Sequence, residues 1–373
     1  MTAILRDLLR TLSGLFVLAW MFVAGPAHGA AIVPGDLIIY RVGDGSAALG
    51  STATAVFLDE YTVTGALVQS LTLSTGGADA FTAVGNSTIE GIISRSQDGS
   101  TLIFTGYRKA AGGSSPASDS YTTTPRVIAT ASISGTLNTT TALSSDGGST
   151  TANSIRSATS VDGTSAFWVS TSARVSYDSS PFITGGTTQI DARNSRQVNL
   201  SGNVLFASNG STTVTGKVQQ YGILPTGATA ATPVVTAAIT DAVNGFVLFD
   251  LNSSVAGDDT LYALNTVASQ LLKYSFDGTS WTAVGSLSTA AINLTGATNG
   301  STANLYLTTG SALLALSDTS GYGNNITGSF STLVSAGTNT AFRGIGMFPV
   351  PEPSTVWLGL TGAAGMLLSR RRR

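Results

Sequence analysis

Between residues 31 and 349 the apolar residues come in short runs of aliphatic, β-branched and aromatic side chains, and no long stretch carries helical spacing. The runs are separated by turn dipeptides: Asp44 with Gly45, Asp98 with Gly99, Asp162 with Gly163, Ser201 with Gly202, Asp277 with Gly278 and Asn299 with Gly300. Such pairs accept the positive φ that tight hairpins require. The pattern predicts an all-β chain of many short strands, hence a sandwich, a barrel or a propeller.

A repeat favours the propeller. One unit recurs: a short strand, a glycine-containing turn, then a strand rich in Leu, Phe, Tyr or Trp. It occupies residues 90–108, 154–172, 196–210, 245–266 and 292–310. A sixth first strand, residues 342–348, stands without a following partner, and residues 36–43 can supply one from the other end of the chain. Most steps between unit starts are about 42 to 50 residues, close to one four-stranded blade. The first step is longer because residues 110–125 read as an inserted polar loop. The expectation is a β-propeller of about six blades, or seven if the insertion hides one, with ring closure leaving only short protected edges. An open sandwich or solenoid with accidental periodicity is the competing architecture. The Gly-His and Trp-Asp pairs of WD40 repeats are not present, so the units resemble a secreted propeller only in general form.

The two ends break this pattern. Arg6 and Arg10 precede an apolar stretch at residues 15–24, followed by Gly25, Pro26 and the small residues Ala27, Gly29 and Ala30. That order predicts a secretory signal peptide over residues 1–29, cut after Gly29 with Ala27 at the −3 position. A retained N-terminal anchor is the plainer alternative. The other end runs Val350, Pro351, Glu352, Pro353, Ser354, then an apolar span over residues 355–368, then Arg370, Arg371, Arg372 and Arg373. Pro351 and Pro353 each fix φ and remove a backbone donor, so they present Glu352 on a short extended segment. As a helix the apolar span would be about 21 Å long, short for a hydrocarbon core of about 30 Å. Bilayer thinning and snorkelling arginines would cover the difference. The positive-inside rule would keep the arginines cytoplasmic and everything before Val350 outside. A core helix seldom ends in consecutive arginines at a chain terminus.

Residues 350–373 resemble the PEP-CTERM sorting signal of Gram-negative bacteria: Pro351, Glu352 and Pro353, a Gly/Ala/Leu-rich span, and a terminal Arg cluster. The resemblance implies recognition of Pro351, Glu352 and Pro353 by an exosortase, a membrane-embedded cysteine protease, with Arg370 to Arg373 as the cytoplasmic stop. It also implies a genome that encodes exopolysaccharide production and a cell-surface or biofilm-matrix destination. It covers the tail alone and implies nothing about the chemistry of residues 30–349, the remaining domain.

Composition narrows what that domain does. The chain has no cysteine, which excludes thiol catalysis and thiolate metal sites, and its only histidine, His28, lies in the signal peptide. Ser-His-Asp triads, histidine general acid–base chemistry and nearly all zinc sites are therefore excluded from the mature chain. Charged residues make up 10% of the sequence, with only Lys109, Lys217 and Lys273 as lysines. A nucleic-acid partner needs a basic surface, and none is legible outside the terminal arginines.

Within the repeats, Glu90, Arg156, Arg196 and Arg343 sit at or near first strands. First strands line a propeller's central channel, so these four are candidates to converge on an anionic or sugar ligand; local pairing with a carboxylate or carbonyl is the plainer role. Asp258, Asp259 and the Asp-Gly turns are candidate oxygen ligands for calcium, although Asp is common in turns for its own reasons and no EF-hand or nonapeptide spacing is present. No other cofactor is expected. Trp168, Tyr177, Trp281 and Tyr322 are candidates for stacking on saccharides; Trp168 reads more simply as core, and Trp281 as packing between blades. Glycoside hydrolysis needs two carboxylates about 5–9.5 Å apart, yet Glu60 and Glu90 are the only glutamates before the tail. The expectation is an exported, non-enzymatic binding or scaffold protein, processed by signal peptidase and an exosortase-like protease and associated with exopolysaccharide. The competing expectation is a secreted propeller hydrolase or lyase acting on polysaccharide or phosphate esters.

Overall fold

The structure, a computed structural model, describes residues 29–350. Nearly all of the predicted signal peptide, the Pro351–Glu352–Pro353 signal, the apolar span and Arg370 to Arg373 lie outside the described residues. Within them the chain is all-β apart from one short 3-10 turn, Pro116–Ser118.

Four stretches of chain each fold into a four-stranded antiparallel sheet, three of them from strands consecutive in sequence. Their first strands are Ile155–Thr159, Ser195–Ser201, Val243–Phe249 and Asn293–Asn299. The rest forms one ten-stranded sheet. In it Leu37–Val42 lies between Ala341–Met347 and Ala53–Tyr61, with Leu67–Thr72 outside. The long strand Ala53–Tyr61 also pairs through Thr82–Val84 to Thr101–Tyr107, and Arg126–Ser132 and Leu137–Ser145 continue outward. The pairing of Leu37 with Met347 and of Val42 with Ala341 joins the two ends of the domain. This is the closure expected for the isolated first strand near residue 342.

The turns form where the dipeptides predicted. Gly99 has φ +78° and Gly278 φ +93°, conformations that cost glycine little. The preceding aspartates cap the turns: Asp98 Oδ1 accepts from the Ser100 amide at 3.0 Å, and Asp277 Oδ1 from the Thr279 and Ser280 amides at 2.8 Å.

The first strands stand side by side in a cycle. Ala341–Met347 contacts Ser94–Arg95, and contacts continue through Ile155–Thr159, Ser195–Ser201, Val243–Phe249 and Asn293–Asn299 back to Ala341–Met347. The core is divided to match, because each sheet buries both faces against its neighbours. Tyr40, Phe81 and Phe104 pack edge-to-face inside the ten-stranded sheet. Further clusters centre on Tyr107 with Phe167, on Trp168 with Leu205, on Phe206 with Phe246, and on Tyr262 with Leu305. Leu37, Ile39, Leu313 and Phe342 complete the circle. The result is a propeller-like ring.

Polar pins cross the same seams. Lys273 and Asp318, both fully buried, pair at 2.9 Å, and Lys273 Nζ also donates to Ser320 Oγ and the Gly321 carbonyl. Tyr262 donates to the same carboxylate at 2.7 Å. Burial alone would raise the Asp318 pKa, but hydrogen bonds from Ser320, Lys273 and Tyr262 outweigh it and hold the carboxyl well below the usual range. Asp146, 1% exposed, accepts from Asn153, Thr171, Ser176 and Thr187, tying two sheets together. The insertion at 110–125 is less polar in effect than its composition suggests: Tyr121 and Pro116 are buried, and the segment wraps the Arg126 guanidinium in carbonyls.

Candidate functional site

Because the first strands run side by side around one axis, equivalent positions along them form tiers. The tier nearest their starts consists of Glu90, Arg156, Arg196, Asn244, Asn293 and Arg343. Going round the ring, Arg343, Arg156 and Arg196 lie on first strands and Glu90 on the segment leading into Ser94–Arg95, so the four candidates from the sequence form one arc. Glu90, Arg156 and Arg343 are 6%, 3% and 5% exposed, and Arg196 is half-buried.

Their partners explain how they sit. The Glu90 carboxylate accepts from Tyr107 Oη at 2.9 Å and from the Val84 amide at 3.4 Å. Burial pushes its pKa up to about 7, against the pull of these donors and of Arg156. Arg156 Nη1 donates to Asn194 Oδ1 at 2.6 Å and to the Ser195 carbonyl at 2.5 Å, both on the next first strand or just before it. Burial and neighbouring Arg196 lower its pKa to about 9, partly countered by Glu90. Arg343 Nη2 donates to the Gly85 carbonyl at 2.9 Å, and burial lowers its pKa while Glu90 and Tyr40 raise it. Burial alone brings Arg196 to about 10. Local carbonyls and amides hold Arg156, Arg343 and Glu90. The pairing is incomplete: Arg156 Nε, Arg343 Nε, Arg196 Nε and Nη1, and Asn244 Oδ1 are buried without a hydrogen-bond partner.

Beyond the arc the axis widens into a cavity of about 290 Å³. Ile93, Phe246, Leu294 and Ile345 border it, but all four are buried and belong to the cores between sheets. Its wall carries Arg95, Gln197, Asn199, Thr295 and Asp258. Arg95 follows Ser94 in a two-residue strand, so while Ser94 Oγ turns away to the Ala158 carbonyl, Arg95 faces the opposite way. Its side chain remains exposed, and the protein around it lowers its pKa by desolvation. Asp258 accepts from Ser201 Oγ; burial raises its pKa, and Asp250 and Asp259 add to the rise while Ser201 opposes it.

The sequence-based reading passed over Arg95, Asn199 and Thr295. The signal was present: Arg95 lies five residues after Glu90, and Asn199 and Thr295 lie three residues after Arg196 and Ile292. It lacked an anchor, because spacing from the start of a first strand does not by itself say which residues face the axis.

Other candidates are placed as structural groups. Trp168 is 3% exposed and donates from Nε1 to the Pro225 carbonyl at 2.7 Å. Tyr177 lies against it with ring centroids 5.3 Å apart. Trp281 packs on Phe276 and on the cluster between two sheets. Tyr322 donates to the Phe276 carbonyl. Asp259 spends its oxygens on the Leu251 and Asn252 amides and on Thr260 Oγ1. Among the described residues no group of three or more His, Cys, Asp or Glu is placed to hold a metal ion.

Comparison with known proteins gives one family match. The PEP-CTERM protein-sorting motif matches residues 349–373. No curated protein matches the chain. Among solved structures, the chain is similar to a periplasmic gluconolactonase of Pseudomonas aeruginosa, with 12% identity, 84% of this chain and 100% of that one covered, and a TM-score of 0.45. It is also similar to a β-propeller domain from Myceliophteria thermophila, with 8% identity, coverage of 85% and 98%, and a TM-score of 0.42. A third is the WD40 domain of Toxoplasma gondii coronin, with 8% identity, coverage of 83% and 68%, and a TM-score of 0.40.

Proposed function

We propose that this chain, which ends in a PEP-CTERM motif and is thereby marked for export and exosortase sorting, is a cell-surface or extracellular-matrix protein whose ring is a non-enzymatic binding or scaffold module associated with exopolysaccharide. A signal peptide over residues 1–29 takes it through the general secretory route. The apolar span of the tail holds it in the inner membrane until an exosortase-like protease reads Pro351, Glu352 and Pro353, with Arg370 to Arg373 as the cytoplasmic stop. The ten-stranded sheet is read as two blades joined through Thr82–Val84, which makes the ring six-bladed.

The observation that carries the proposal is the motif match at residues 349–373. The ring adds support for binding over hydrolysis. The only charged groups lining the axial cavity are Arg95 and Asp258, so the lining lacks the second carboxylate that glycoside hydrolysis needs. Glu90, the other acid near the axis, is enclosed by Tyr107 and the Val84 amide.

The test is processing in a host that carries an exosortase. Replacing Glu352 by Gln, or all four terminal arginines by Ser, should leave a precursor that keeps its tail, seen as a higher mass of the C-terminal peptide and retention in the membrane fraction. Tail removal at the normal rate in both variants overturns the assignment.

A further inference from the structure

We infer that the axial cavity is a binding site for one carboxylate-bearing sugar unit, held through its carboxylate by Arg95. The inference rests on the binding-module reading of the ring and is independent of the tail. Two observations point to it. First, the Arg95 side chain makes no hydrogen bond or ion pair among the described residues, although Arg95 is exposed and lines a polar cavity that opens to solvent. A guanidinium presents its donors as a planar fork that matches a carboxylate with two parallel hydrogen bonds. Second, the remaining wall offers groups suited to hydroxyls. Neither the Asn199 amide nor the Thr295 hydroxyl has a partner of its own, and Gln197, whose Oε1 accepts from the Phe246 amide at 2.8 Å, keeps its Nε2 free.

The volume sets the size of the occupant. At about 290 Å³ the cavity lies at the small end of ligand pockets, which run from about 300 to 1,000 Å³. It takes one sugar unit rather than an oligomer. Asp258 gives the site polarity: its carboxylate, anchored by Ser201, repels an anion from that side and turns the ligand's carboxylate toward Arg95. A free sugar acid and the terminal unit of an acidic polysaccharide offer the same chemistry.

The test is calorimetric titration of the purified full-length chain with glucuronate, glucose and an oligouronate. The expected result is saturable glucuronate binding, with glucose at least about tenfold weaker. Arg95→Gln should lose about tenfold or more in glucuronate affinity, Arg95→Lys should lose less, and Asn199→Ala should weaken both sugars without removing the preference for the acid. Arg95 is exposed and unpaired, so Arg95→Gln should keep the wild-type thermal midpoint. Oligouronate binding with the same Arg95 dependence would identify a polymer end as the source, and binding of glucuronate alone would identify the free acid. Absence of saturable glucuronate binding, or equal affinity in Arg95→Gln, overturns the inference. Retention of exopolysaccharide by the Arg95→Gln chain would then leave the binding-module reading standing.

Discussion

At the scale of single residues the sharpest consequence belongs to Glu90. Its carboxyl is raised to about 7 by burial, despite Tyr107, Val84 and Arg156, whereas an unfolded glutamate titrates near 4.3. Below the unfolded value both states hold the proton and the native state keeps its full advantage. As pH rises through that value and on through the folded one, the unfolded chain ionises first and stability is lost, by up to about 4 kcal/mol. Glu90→Gln removes this loss while leaving Oε1 to accept from Tyr107. Urea unfolding should therefore show the variant gaining on the wild type between pH 4 and pH 8, with most of the gain complete by pH 8. A difference that does not change with pH would mean that Arg156 and Arg343 keep the native carboxylate ionised throughout. That Glu90 belongs near the axis was legible from its place in the repeat. Its state was not, because the repeat does not show that Tyr107 and the Val84 amide turn toward its carboxylate.

At the scale of elements, the first strands approach so closely that side-chain volume decides whether they fit. Gly344 lies in Ala341–Met347, and a Cβ there would run into the Gly91 carbonyl and come within 2.6 Å of the Ile93 amide nitrogen. Both obstacles are backbone of the segment leading into Ser94–Arg95, so neither can swing aside. Gly344→Ala should destabilise the ring by about 1–3 kcal/mol, as overpacking commonly does. Gly50→Ala, where a Cβ meets nothing within 4 Å, should change stability by no more than about 0.5 kcal/mol. Equal unfolding midpoints for the two variants would show that the strands have room to separate. The strands and the Asp-Gly turns were readable in advance because each depends on a few adjacent residues. Two features were not. Thr184–Gly186 leaves its own sheet and pairs in parallel with Leu137–Ser145, a contact for which no local pattern exists. The join through Thr82–Val84 depends on Ala53–Tyr61 being long enough to serve two sets of neighbours.

At the scale of the whole molecule, the ring depends on a pairing between residues some three hundred positions apart, since Leu37–Val42 and Ala341–Met347 supply the seam. Ile39 is fully buried in the middle of that seam, opposite Ile345 on one side and Asp59 on the other. Proline there removes a ladder donor and does not fit a central strand, at a cost of about 3 kcal/mol or more. The cost should not stay local. With the seam open, Leu37, Ile39, Leu313 and Phe342 lose their shared core, and the first strands on either side become the ends of an open stack. Hydrogen exchange should therefore speed up in Ala341–Met347 and in Asn293–Asn299 as well as around residue 39, even though those strands are unaltered. A proline at Val68, in the outermost strand Leu67–Thr72, should raise exchange only in that strand and its neighbour Ala53–Tyr61. Wild-type protection of Ala341–Met347 in the Ile39→Pro chain would mean that the sheets hold their places without closure, as they do in a solenoid, and that the propeller-like ring is an arrangement of ends that merely meet.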